Sequence, residues 1–165
     1  MAINKKEKKY WEQNWGIPSH HLDAMNPEVD RYNFRDWETN DEDLFWITSR
    51  IKIIHQLDLD NTLVTDEGIG YLTRLELLKE LRLKGCHSVT KNCLPHLNKI
   101  AGLELLHLIG TQIDLQDIAP LFDLKSLKTL LVSSEAVESE IKEKVKLFQQ
   151  YLPTCTINVN YRVYE

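Results

Sequence analysis

The chain has 165 residues, 42% of them apolar and 27% charged, with a formal charge of −5 at neutral pH and a pI near 5.7. That length and balance suit one globular domain with a real core and argue against a disordered chain. An acidic chain lacks the basic stripe that displaces counterions from phosphates, so no nucleic-acid partner is expected.

From the N-terminus, the basic cluster Lys5 to Lys9 is interrupted by Glu7 and followed at once by Tyr10 and Trp11. It reads as the solvated face of a helix rather than a nucleic-acid arm. No apolar run approaches the roughly 18 residues of a membrane span, and the first 20 residues lack the apolar centre of a secretory signal. A cytoplasmic protein with no membrane partner is therefore expected. The odd set of cysteines, Cys86, Cys93 and Cys155, fits that compartment, where thiols stay reduced. His20 and His21 fall on a loop; adjacent histidines in a strand or helix diverge, and no third metal ligand accompanies them.

After residue 50 the pattern apolar-x-x-Leu-x-Leu recurs. One copy runs Ile54, Leu57, Leu59, Thr62, Val64, and the next Leu78, Leu81, Leu83, Cys86, Val89. A third runs Leu103, Leu106, Leu108, Thr111, Ile113, and a fourth Leu127, Leu130, Val132, then Val137. From Leu57 to Leu81, Leu106 and Leu130 the steps are 24, 25 and 24 residues. Each copy supplies one short strand, a turn and a returning helix, and it buries its leucines only against its neighbours. One parallel sheet holding Leu57, Leu81, Leu106 and Leu130 in that order follows.

Thr65-Asp66-Glu67 and Thr90 are capping residues ahead of Ile69/Leu72 and Leu94/Leu97. The third connection, Asp114 to Asp123, contains Pro120 and should be less regular. The last, from about Ser139 to Leu152, puts Ile141, Val145, Phe148 and Leu152 on one helical face. Pro153 then stops it, and Ile157 and Val159 form a closing strand. At the front, Val29, Tyr32, Phe34 and Trp37 fit the same template, Tyr32 standing 25 residues before Leu57. Those aromatics, with Trp11, Trp15 and Trp46, are read as cover for the open end of the ladder, with a binding cluster as the alternative.

LKELRLKGCHSVTKNCLPHL, Leu78 to Leu97, resembles the cysteine-containing class of leucine-rich repeat. LDLDNTLVTDEGIGYL from Leu57, GTQI from Gly110 and the ending YLPTCTINV are similar to the short cytosolic repeats of bacterial leucine-rich-repeat proteins. CHSVTKNCL is also similar to repeats of the mitochondrial ATP synthase factor B group, associated with respiratory-complex assembly, although no Arg/Ser-rich transit segment opens this chain. The resemblance spans roughly residues 50 to 160. It implies an α/β solenoid, built of right-handed βα repeats on one curved parallel sheet. Residues 1–50 would be its aromatic-rich N-terminal capping segment, with a degenerate first repeat in it as the fuller reading, and 51–165 the repeats with a closing helix and strand. It also implies protein recognition through the strand-lined face.

Cys86, His87, Cys93 and His96 lie close in sequence but not at the spacing of a structural zinc site, so buried thiols and no metal or cofactor are expected. No G-x-S-x-G, H-E-x-x-H or glycine-rich phosphate loop occurs, and no catalytic residue is assigned. Gly85 and Gly110 occupy matching turns.

Strand alternation sends the residues beside the buried leucines outward. These are Arg31, Asn33 and Arg35; Gln56, Asp58 and Asp60; Glu80, Arg82 and Lys84; Leu105, His107 and Ile109; Thr129, Leu131 and Ser133; Thr156, Asn158 and Asn160. In the first half, Asp58 should pair with Arg82 and Asp60 with Lys84, chiefly as devices of register and solubility. In the second, Leu105, Ile109 and Leu131 around His107 should be apolar and exposed. Such a patch marks either a contact with a partner protein or second copy, or a surface under the folded-back N-terminal segment. The candidate partner-binding residues are Leu105, His107, Ile109, Leu131, Arg82 and Asp58, in a non-catalytic interaction module. The alternatives are a regulatory or assembly factor whose first 50 residues make the contact, and a hydrolase or thiol enzyme.

Overall fold

The computed structural model describes residues 4–164, so of the segments 1–50 and 51–165 the residues 1–3 and 165 lie outside what is described. Helix α1, Lys5–Trp15, begins where the Asn4 side chain accepts the Glu7 amide at 2.8 Å. It ends at Gly16, whose φ of +63° suits a residue without Cβ. A 3-10 turn, Ser19–Ala24, leads to the first strand. There the exposed His20 and His21 rings meet edge-on, 4.1 Å apart.

Six strands run parallel in chain order: β1 Glu28–Asn33, β2 Ile53–Asp58, β3 Leu77–Arg82, β4 Leu105–His107, β5 Thr129–Val132 and β6 Thr156–Val159. A short antiparallel strand, β7 Arg162–Tyr164, closes the sheet at the β6 side. The register places Tyr32, Leu57, Leu81, Leu106, Leu130 and Ile157 in one row. The sequence repeat has thus become a ladder in the predicted order. Its aliphatic members are all buried, as are Leu59, Leu83 and Leu108 one step further on.

The connections carry α2 Asp41–Arg50, α3 Asp66–Tyr71, α4 Leu94–Leu97 and α5 Glu138–Tyr151. Between β4 and β5 there are 3-10 turns, Leu115–Asp117 and Ala119–Asp123, where Pro120 removes a backbone donor. Thr65 and Thr90 cap their helical turns as expected, each accepting the amide two residues on. They also bind backwards. Asp41 accepts from the Thr65 amide and hydroxyl, and Asp66 does the same for Thr90, 24 residues later. A cap in one repeat is therefore fastened by the preceding repeat, coupling neighbours through partly buried hydrogen bonds as well as through leucines.

The turn after each of the first four strands holds a left-handed residue: Asp36 (φ 63°), Asn61 (59°), Gly85 (71°) and Gly110 (80°). Asp and Asn tolerate that region better than other residues with a Cβ. At Gly110 an added Cβ would lie 3.1 Å from the Gly85 backbone nitrogen, so stacking of successive turns requires glycine there.

At the β1 end, Trp11 and Trp46 are buried, and Trp15 stands 5.9 Å from both Tyr32 and Phe34. Trp37 is 63% exposed and meets the cover only edge-on at Phe34, 6.1 Å between ring centres. Among the described residues no helix is long and apolar enough to cross a membrane.

Candidate functional site

The sheet face opposite the leucine ladder is organised in rows set by the strand register. Asn33, Asp58, Arg82, His107, Leu131 and Asn158 form the central row. Several residues of this face are less exposed than alternation alone implies. Asp58 and Asp60 are each 2% exposed, His107 is 3% and Ile109 8%. Arg82, Leu105 and Leu131 are half-buried. The expectation that all six candidates stand in water is thus corrected for Asp58, His107 and Ile109. Long neighbouring side chains lie across the pleat and remove the space that alternation leaves open.

Arg35, from the turn after β1, is the main such neighbour. Its Nη2 donates to Asp58 and to Asp60, both at 2.9 Å, and these two carboxylates hold the guanidinium protonated well above its ordinary range. The expected Asp58–Arg82 pair is present only loosely, Nε standing 3.9 Å from Asp58 and 3.8 Å from Asp60. The expected Asp60–Lys84 side-chain pair does not form. Asp60 instead accepts the Lys84 backbone amide at 2.9 Å, while the Lys84 ammonium lies 5.6 Å from the Tyr161 ring centre. A backbone amide at fixed distance satisfies the buried carboxylate without the entropy cost of fixing a lysine.

Tyr161 also covers His107, the rings meeting edge-on with centres 6.4 Å apart. The intramolecular neighbour of the histidine therefore comes from the β6–β7 turn, whereas α1 packs at the opposite end, with Tyr10 bonded to Asp43 and Glu7 to Arg50. Asn160 (φ 50°) and Tyr161 (φ 65°) are both left-handed, the geometry of a two-residue hairpin turn. The asparagine in NVNYRV was the only sequence signal for it, and the three-residue return strand is too short to show a pattern.

Several polar atoms of the row have no hydrogen-bond partner among the described residues although they are buried. These are Arg82 Nε, both ring nitrogens of His107, and Asn158 Oδ1. Beside Arg82 a cleft of about 240 Å³ is lined by Arg31, Arg35, Gln56, Asp58, Glu80 and Arg82 itself. Arg31 and Arg35 were legible only as outward residues of a first strand, and neither was singled out.

Burial lowers the His107 pKa from its ordinary 6.5; Asp60 and Asp58 pull it up, and Arg82 and Lys84 push it down. The unfolded chain, with a histidine near 6.5, then binds more protons than the folded one below that pH. Stability is full above 6.5 and falls as pH drops through the folded value. His107→Gln should flatten this part of the dependence. The check is denaturant unfolding from pH 7 to 5, at roughly half-unit steps across the range where histidine titrates; equal slopes for the two proteins would refute it.

Cys86 lies on the core side, donating to Leu59 O at 3.0 Å, and its thiol is raised by burial. Burial likewise pushes Cys93 up to about 12 and Cys155 to about 11. Thiol labelling of the folded protein at neutral pH should therefore proceed at the rate of unfolding. Rapid reaction of Cys86 in the absence of denaturant would contradict the packing described. Among the described residues no three or more His, Cys, Asp or Glu are placed together to hold a metal ion.

No protein-family model matches the sequence, and no curated protein matches it.

Proposed function

We propose that the chain is a leucine-rich-repeat solenoid acting as a non-catalytic, cytosolic protein-binding module, with its partner seated on the sheet face around Arg82, Leu105, His107 and Leu131. The observation that carries this reading is the row of buried polar atoms without partners at Arg82, His107 and Asn158. Each buried, unmade hydrogen bond costs on the order of 1–3 kcal/mol. A contact that displaces the covering side chains, Tyr161 over His107 among them, and supplies partners recovers that cost, and half-buried Leu105 and Leu131 add apolar area beside it.

The test is site-specific photo-crosslinking in the source cells with the probe at Leu131, at Glu38 or at Lys144. The reading expects a discrete adduct from Leu131 that disappears when Arg82 is replaced. A second reading, contact through the N-terminal segment by an assembly factor, is supported by the exposed Trp37. An adduct from Glu38 alone favours it. Adducts from Lys144 on the outer helix, with none from Leu131, would overturn both.

A further inference from the structure

We infer that the partner on this face presents a carboxylate side chain within an acidic segment, and that Arg31 and Arg82 take it in the cleft spanning β1 to β3. The inference rests on the protein-binding reading above.

The two buried carboxylates already have donors. Asp58 already accepts from Arg35 at 2.9 Å and from the Asp60 amide at 3.1 Å. Asp60 accepts from Arg35 and from the Lys84 amide, both at 2.9 Å. Glu80 accepts from Gln56 at 3.3 Å. On the donor side, Arg82 Nε is buried without a hydrogen bond and stands 3.8 Å or more from both carboxylates, while the side chain as a whole is 36% exposed, so a partner reaches its outer nitrogens. Arg31 is exposed and forms no ion pair among the described residues. Glu80 keeps acceptor capacity, but neither Arg31 nor Arg82 bonds to it, and both guanidinium groups stand without a hydrogen bond among the described residues.

Charge points the same way. Within the cleft Arg31, Arg35 and Arg82 outnumber Asp58 and Glu80, and the adjacent Asp60 and Lys84 cancel, leaving a net +1 in a chain of formal charge −5. That local excess favours an anion, while the acidic remainder repels a long polyanion such as nucleic acid. A volume of about 240 Å³ falls below that of typical small-molecule pockets and suits one side chain. A carboxylate matches the planar fork of a guanidinium.

The experiment selects a phage-displayed random peptide library on the immobilised full chain, then measures the selected peptides against variants by fluorescence anisotropy. The expected result is a fixed Asp or Glu in the selected peptides. Affinity should fall about tenfold or more in Arg82→Gln and in the exposed, unpaired Arg31→Gln. Changing the fixed Glu to Gln in the peptide should cost as much, and Arg82→Lys should restore binding only in part. Peptides without acidic residues whose binding is lost in Leu131→Asp would overturn the inference and leave the face reading standing. So would acidic peptides indifferent to both arginine variants, or single-stranded DNA binding as tightly as the peptides. Failure to select any peptide that depends on Arg31, Arg82 or Leu131 would count against both.

Discussion

Leu81→Ala and Leu106→Ala are each expected to lower the free energy of unfolding by about 2–5 kcal/mol, the range for emptying a buried leucine site. Both side chains are fully buried, and each stands between two rungs of its own kind, Leu81 between Leu57 and Leu106, and Leu106 between Leu81 and Leu130. A cavity there is held open from both sides by strands pinned through backbone hydrogen bonds, so collapse around it is limited. The measurement is urea unfolding followed by circular dichroism, comparing midpoints at unchanged slope. Leu105→Ala, one residue away on the half-buried opposite face, is the control and should cost much less. Equal losses at Leu105 and Leu106 would mean that the alternation between ladder and outer face is wrong.

The ladder was legible because burial there depends on one property repeated at one interval. Leucines spaced 24 and 25 residues apart can share a core only if successive strands adjoin, and the period alone gives their order. The turn residues were half legible. Gly85 and Gly110 stand out by lacking a Cβ, whereas Asp36 and Asn61 occupy the same left-handed position under residue types common in any loop. The outer face was least legible, because alternation gives direction without length. It sends Asp58 and His107 outward, but that Arg35 lies over two carboxylates and that Tyr161 returns over a histidine depend on where long side chains reach from neighbouring turns. Pairing by adjacent strands suggested Asp60 with Lys84; the shorter and more rigid donor, a backbone amide, took the carboxylate instead.

Trp11→Ala should destabilise the whole chain by about 3–5 kcal/mol, as removal of a fully buried large aromatic does. Trp11 is 0% exposed and lies between Tyr10, edge-on at 5.4 Å, and Trp15, tilted at 5.7 Å. Trp15 in turn meets Tyr32 and Phe34. Tyr32 faces Leu57 in the sheet, so the aromatic cluster is continuous with the leucine ladder and shares its cooperativity. The indole nitrogen is buried without a hydrogen-bond partner among the described residues, so the substitution loses area and fills no polar need. Trp11→Phe, which keeps most of the ring and removes that N–H, should therefore lose considerably less. The two variants separate packing from any polar role. Hydrogen exchange then decides whether the first 50 residues and the repeats are one unit. In Trp11→Ala, protection should fall at β4 and β5 as well as at β1, because one cooperative core distributes the loss. Protection lost only before residue 50, with the urea midpoint of the remainder unchanged, would make the front of the chain a separately unfolding cover.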